Sequence, residues 1–523
     1  MFRNSKKVLS VVLTLIMVCT MVVPAFGVYQ EYPTIYVTGA QTNDLYSKDG
    51  EKISDFSIDI DAVLEDHGER LLAEFLFGML SDDYKMWAAD FHDIVVGIYG
   101  NSALDENGEA SNGSHPANHS STVDVTKKSS GFGIWDYRFW YDWRLSPLVT
   151  GEELEAYIDR VLEATGAEKV NIVGRCYGAN VIAAYVALNK EHAAAHVADI
   201  GYFAPSIDGI DFMTALFTGD IYLDDKALDN FANWFIDNKD LIDDPAIVSL
   251  ISTMLDLFEQ AEVLGFTADK LDLLISRIKS DLLPPILRDT FGSWTSYWAM
   301  VSNGRLEDAI AFIYGGCEEE FAGRITKIRN YYEYVQKDHN DTLLEMMDKG
   351  VRYNIFAKYN FPEYPIYKGS AIQSDGDTSI PRQTFGATAA NYGEVLSKEY
   401  IATISDENLK YLSPDFKIDA STGLLPENTW YVKNLHHNYW ASIHDLCLDI
   451  MNNDYNVSNQ DIYPQFMDDA NGMKEVTPDE DYVKPEDNTL VSLMRFLTAF
   501  FNFIAKLING ELNLKEAFSG ILD

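Results

Sequence analysis

Three kinds of residue able to do acyl chemistry occur along this chain: a thiol, a pair of carboxylates and a pair of histidines. The thiol is Cys176, in the stretch VNIVGRCYGAN from Val170 to Asn180, where a short apolar run passes through Gly-x-Cys-x-Gly into an apolar helix. A nucleophile raised on a strand-to-helix turn needs glycine two residues to either side, where any side chain would clash; Gly174 and Gly178 meet that need. The amides that open the following helix can stabilise a thiolate and the oxyanion of a tetrahedral intermediate. The same pattern also survives where a lineage keeps the fold and pocket but no longer turns a ligand over. Cys176 therefore reads either as a working nucleophile or as the remnant of one.

On this kind of scaffold the nucleophile is followed along the chain by an acid and then a histidine. Ser374-Asp375-Gly-Asp377-Thr-Ser-Ile-Pro381 offers two carboxylates, with a plain Asp-Gly turn as the structural alternative and no EF-hand spacing. Asn428-Thr-Trp-Tyr-Val-Lys-Asn-Leu-His436-His437 reads as a strand running into a histidine pair ahead of a helix over 440–451. An incidental surface His-His is the alternative there.

These groups need a scaffold to bring them together, and the pattern is that of a parallel sheet. Strands are expected at 33–39, 93–99, 133–140, 169–173, 198–204, 352–359 and 364–367. A helix is expected over 150–166, opened by a Thr150-x-x-Glu153 capping box and closed by Gly166, and another over 177–188. Helix, strand, sharp turn, helix is a parallel-sheet unit. Between about 101 and 130 the chain is a polar loop. From 207 to 350 the signal is helical, with examples at 243–264 and 306–314, suiting a cap over one edge of the sheet. After 451 the chain is acidic and turn-rich, which predicts a loosely packed surface segment.

The 523 residues are 47% hydrophobic and carry a formal net charge of −41, so nucleic acid and anionic membrane surfaces would repel the protein. The basic MFRNSKK, the apolar Val8–Val23 and the small residues at the −3 and −1 positions of Pro24-Ala25-Phe26-Gly27 read as a secretory signal peptide, cleaved near Gly27, with an uncleaved anchor as the alternative. A secreted or cell-surface location follows from that reading. Cys19 lacks a suitable preceding residue for lipidation. Cys176, Cys317 and Cys447 remain after cleavage; Cys317 and Cys447 could pair outside the cell, leaving Cys176 as the free thiol. In Leu490–Leu507 the polar residues Ser492, Arg495, Thr498, Asn502 and Lys506 share one stripe, which predicts an amphipathic helix docked on its own domain or on a lipid surface or partner. No metal or organic cofactor motif occurs, and this chemistry needs none.

Taken together, these segments resemble the α/β-hydrolase superfamily, and within it the lecithin:cholesterol acyltransferase-like branch. The likeness covers about 33–206 and 350–450. It rests on the elbow, on PTIYVTGAQTNDLY as a first strand and glycine turn, and on YDWRLSP at Tyr141–Pro147, where Asp142 and Arg144 can pair. The resemblance implies an α/β-hydrolase fold: a core at 28–206 and 351–450, a helical cap or lid at 207–350, and an acidic linker with an amphipathic helix at 451–523. It also implies a Cys-His-Asp triad for acyl transfer or hydrolysis of an ester, thioester or lactone, on small-molecule or lipid-like substrates. Cys176 then takes the nucleophile position. Asp377 fits the acid, because it stands four residues before Pro381 as in the family's Asp-Gly-Thr-Val-Pro pattern, with Asp375 in reserve. His437 takes the base position with His436 in reserve, and Ala40 and Tyr177 lend the oxyanion amides. The chain departs from the family's Gly-His-Ser-x-Gly in having Arg175-Cys176 and Ala179. That departure leaves a non-catalytic binder of an acyl or lipid-like ligand as the other reading.

Overall fold

A computed structural model describes residues 32–54, 69–128, 135–222 and 276–478, together with 226, 227, 230, 231, 234 and 273. The expected signal peptide, the helix at 243–264 and the amphipathic tail lie outside the described residues, as does the start of the strand expected at 133.

Eight strands form one sheet: β1 (Thr34–Val37), β2 (Tyr137–Phe139), β3 (Val170–Arg175), β4 (Val197–Phe203), β5 (Arg352–Tyr359), β6 (Thr429–Lys433), β7 (Phe466–Asp468) and β8 (Lys474–Glu475). Their spatial order is β8-β7-β6-β5-β4-β3-β1-β2, and every pair is parallel except β7 with β8. Parallel strands need long crossovers, which cover both faces with helices and make the strands apolar throughout. The longer helices among the described residues are α1 (Glu69–Ser81), α2 (Lys85–Tyr99), α3 (Pro147–Thr165), α4 (Tyr177–Leu188), α5 (Lys190–His196), α6 (Asp211–Thr218), α7 (Leu283–Asp289), α8 (Leu306–Tyr314), α9 (Ala322–Tyr331), α10 (His339–Asp348) and α11 (Ala441–Asn452).

Side chains alternate across each strand. Ile35, Val37 and Ile172 face a core shared with Leu154, Tyr157, Ile158 and Val161 of α3 and with most of α4. Tyr36, Val173, Phe203, Phe356, Trp430 and Val432 face the opposite way, under Trp440, Ile443, Leu446 and Ile450. From β1 the chain steps outward to β2, then returns to the other side of β1 as β3 and proceeds through β4, β5 and β6. The β1/β3 boundary is thus where the winding direction reverses, and the carboxyl ends of strands at such a boundary leave a crevice for a ligand. Gly39 and Cys176 both lie at those ends.

Several expectations need correction. The run at 93–99 belongs to α2, not to a strand: Trp87, Phe91 and Val95 pack at helical spacing with Ala88 against Ile278, Leu282 and Ile286. Residues 364–367 form no strand and the chain bends over 365–367, in a stretch that holds Pro362 and Pro365, which lack the amide a ladder requires. Ser146, not Thr150, caps α3, with Pro147 as the first helical residue; Thr150 is buried one turn in and bonds to the Pro147 carbonyl at 3.4 Å. Gly166 ends the helix as expected, with φ +69°. Beyond 451 the chain is not a mere surface segment, since β7 and β8 complete the sheet edge and Met467 is fully buried. The segment between β4 and β5 is helical where described, and its α10 lies against β5 and α4, sinking Leu343 and Met346 into the main core. Cys317 and Cys447 are both free thiols, Cys447 packed beneath Gly201 of the sheet.

Candidate active site

Cys176 stands between β3 and α4 with φ +50° and ψ −122°. A non-glycine residue in this region costs on the order of 1–3 kcal/mol, and the strain persists only where its surroundings enforce it. Here its amide donates to the Phe203 carbonyl at 2.9 Å, and its carbonyl accepts from Ala179 at 3.0 Å. The flanking glycines are needed for close approach. A Cβ on Gly174 would lie 2.9 Å from the Ala179 backbone, and one on Gly178 would lie 2.3 Å from the Val37 carbonyl oxygen. The corner can therefore form only with both positions bare.

The turn after β1 lies directly against the thiol, for a Cβ on Gly39 would sit 3.5 Å from that of Cys176. Ala40 follows in this turn. Tyr177 is the first residue of α4, where a helix has no internal acceptor for its amide. These are the two residues expected to offer oxyanion amides. Beneath them Tyr141 donates to the Thr38 carbonyl at 2.5 Å, and Gln41 donates to the Tyr297 hydroxyl alongside.

His437 is buried, and its Nδ1 lies 2.7 Å from Oδ2 of the fully buried Asp375. The carboxylate behind the imidazole is thus Asp375, not Asp377 as the family spacing implies. The reason lies in the turn. Asp375 Oδ1 accepts the amides of Asp377 at 3.1 Å and Thr378 at 2.8 Å, which leaves Oδ2 for the ring; the His437 amide in turn donates to the Asp375 carbonyl at 2.8 Å. Gly376, at φ +103°, reverses the chain, and a Cβ there would strike His436 Nε2 at 2.6 Å. Asp377 consequently arrives on the other side of the same ring, with Oδ2 3.8 Å from Nε2 and a partly exposed side chain.

The electrostatics follow from this enclosure. Burial would neutralise His437, but Asp375 first, then Asp377 and Cys176, outweigh it and hold the ring charged well above its ordinary range. Burial would likewise protonate Asp375, yet the His437 charge, Lys358 and the Thr378 amide keep it below the usual carboxylate range. His436 has a different surrounding. Its ring stacks on Trp234 and meets Phe361 edge-on, and burial pulls it below its ordinary value.

Sequence reasoning missed Lys358 and Gln383. Lys358 is fully buried in β5 with its ammonium 3.5 Å from the centre of the Trp440 ring, and Gln383 bonds both to its main chain and to the Thr378 carbonyl. A lysine inside the apolar strand RYNIFAKY was the available signal. Arg175, the residue before the thiol, places its guanidinium 4.2 Å from the centre of the same Trp440 ring. The sequence of this chain matches no protein-family model and no curated protein.

Proposed function

We propose that this chain is a secreted α/β-hydrolase-type protein, with a helical cap between β4 and β5, that performs thiol-dependent acyl transfer or hydrolysis on an ester, thioester or lactone. The observation that carries the proposal is the buried Asp375–His437 pair, whose imidazole is within electrostatic reach of a thiol held at a strained strand-to-helix corner. An imidazolium beside a cysteine favours the thiolate, which is the nucleophilic form. The elbow glycines, the YDWR pair and the position of the site at the winding reversal support the resemblance to the lecithin:cholesterol acyltransferase-like branch. Arg144 grips both Asp142 oxygens, at 2.9 and 2.6 Å, with its side chain fully buried.

In this reading the Cys176 thiolate adds to the carbonyl carbon, and the amides of Ala40 and Tyr177 receive the oxyanion. As the tetrahedral adduct collapses, His437 delivers its proton to the departing alcohol or thiol, leaving a thioester on Cys176 and a neutral ring. Water or an alcohol then adds to that thioester while His437 takes its proton. Breaking the carbon–sulfur bond restores thiolate and imidazolium. Asp375 stays ionised throughout and holds the ring by Nδ1. A thiolate leaves more readily than an alkoxide, so adducts of amides and plain esters revert, and thioesters and activated esters are favoured.

The test is acylation and turnover with short-chain thioesters and p-nitrophenyl esters, before and after iodoacetamide. Turnover abolished by alkylation of Cys176 supports the proposal. No turnover, with Cys176 unreactive to both reagents, replaces it with a ligand-binding protein. Cys176→Ser is the companion: esterase activity in that variant shows that the acid, base and oxyanion amides are intact.

A further inference from the structure

A buried lysine is expensive unless its three N–H groups find acceptors. Lys358 has no exposed surface, and its Nζ donates to three main-chain carbonyls: His436 at 2.9 Å, His437 at 2.8 Å and Tyr439 at 3.3 Å. All three belong to the turn that joins β6 to α11 and carries the candidate base. The same ammonium lies over the Trp440 ring, whose residue opens α11. Its own main chain is fixed by register with Val432 of β6 and by two bonds to the Gln383 amide, at 2.7 and 2.9 Å. Gln383 also donates to the Thr378 carbonyl at 2.6 Å, so one clamp links β5, the acid turn and the histidine turn.

We propose that Lys358 is the positioning residue of the thiol–imidazole pair: its ammonium, delivered from within β5, gathers the carbonyls of the histidine turn and so aims His437 at Cys176. The proposal deepens the acyl-transfer reading and rests on it. The three carbonyls consume all three N–H groups of an ammonium, whereas a neutral amine has two and turns its lone pair towards an oxygen. A neutral replacement thus both loosens the turn and removes a positive charge from the site. The charged and titratable groups facing Lys358 are Asp375 and Asp377 from the acid turn, Arg175 and Cys176 from the elbow, His436 and His437 from the histidine turn, and His444 from α11. Burial pulls Lys358 down to about 7, with Asp375 opposing that pull and Arg175 adding to it.

The experiment compares wild type with K358M, using K358Q, which keeps two N–H donors, should K358M not fold. H437Q runs in parallel. Two readouts are taken on the full chain: hydrogen exchange of the His437 and Tyr439 amides, and the pH–rate profile for acylation of Cys176 by p-nitrophenyl acetate. The expected result for K358M is exchange about tenfold faster in that turn, with the acid limb of the profile moved up by about one pH unit. Unchanged exchange overturns the proposal. Faster exchange with an unmoved acid limb also overturns it, since the lysine would then be structural filling alone. If H437Q leaves the acylation profile as it is in wild type, the acyl-transfer reading itself falls and takes the positioning role with it. An H437Q effect without a K358M effect sinks only the lysine.

Discussion

Replacing Asp375 with Asn exchanges an acceptor for a donor at the contact that sets the His437 tautomer. Oδ1 already serves two amides, of Asp377 and Thr378, so the introduced carboxamide would keep its oxygen there and present its NH2 where Oδ2 now lies, 2.7 Å from Nδ1. Nδ1 would have to become the acceptor, and the ring proton would move to Nε2. A neutral ring of that tautomer can neither balance a thiolate nor take its proton. The loss expected for a misdirected tautomer is about 10³–10⁴ in rate, or roughly 4–5 kcal/mol of barrier. Folding should lose only about 1–3 kcal/mol, because each buried group keeps a partner. Asp377→Asn is the informative contrast. Its carboxylate is 3.8 Å from Nε2 and 29% exposed, so water screens it, and the rate should change by less than about tenfold. The assay is single-turnover acylation of Cys176 by p-nitrophenyl acetate, read as nitrophenolate release and as the mass of the acylated protein. A thousandfold loss in D377N with a small loss in D375N would refute the geometric assignment and restore the spacing argument. Equal, small losses in both would show that His437 is not coupled to the thiol at all.

Other perturbations probe the scaffold and its charges. Gly178→Ala places a Cβ 2.3 Å from the Val37 carbonyl oxygen and should cost about 3 kcal/mol or more in a urea titration, whereas Gly97→Ala, with nothing within 4 Å, should be neutral or gain up to about 1 kcal/mol. Arg144→Lys loses the two-pronged grip on Asp142 and the bonds to Ser102 and Ser114, for a loss of about 3 kcal/mol in the same titration. Stability should also respond to pH through two opposed groups. His437 is held above its ordinary value, so its contribution is complete below about pH 6.5 and is lost as pH rises through the raised value; Lys358 is held down at about 7, so its burial opposes folding below that pH and the penalty fades above it. The two slopes partly cancel in wild type. In K358M only the His437 slope remains, and the urea midpoint should fall more steeply between about pH 7 and 9; an identical slope would contradict the two assignments.

The elbow was legible in the sequence because its signal is local. The positions two residues to either side of Cys176 must be bare, and that spacing is readable from the chain alone, although what Gly178 makes room for is the Val37 carbonyl of β1. The same holds for β5, α4, α8 and the αL glycine that ends α3, where pattern and punctuation agree. The strand assigned to 93–99 failed for the opposite reason. Its β-branched run carries no mark of the partners at 278–286 that make a helix the better burial. The choice between Asp375 and Asp377 was illegible because both flank one glycine, and a reversal at Gly376 brings both to a single ring. Spacing from Pro381 says that a carboxylate arrives, but not at which nitrogen. What separates them is the two-amide grip on Asp375 Oδ1, which turns Oδ2 inward, and no count of residues contains that hydrogen-bond direction. Lys358 lies between these cases. A lysine in a buried strand is visible as an anomaly in the sequence, yet its meaning depends on three carbonyls about eighty residues downstream. A buried cation whose hydrogen bonds all go to main-chain oxygens has no acceptor side chain in the sequence to announce it, so a hold on the histidine turn of this kind is one that motif reasoning is poorly equipped to find.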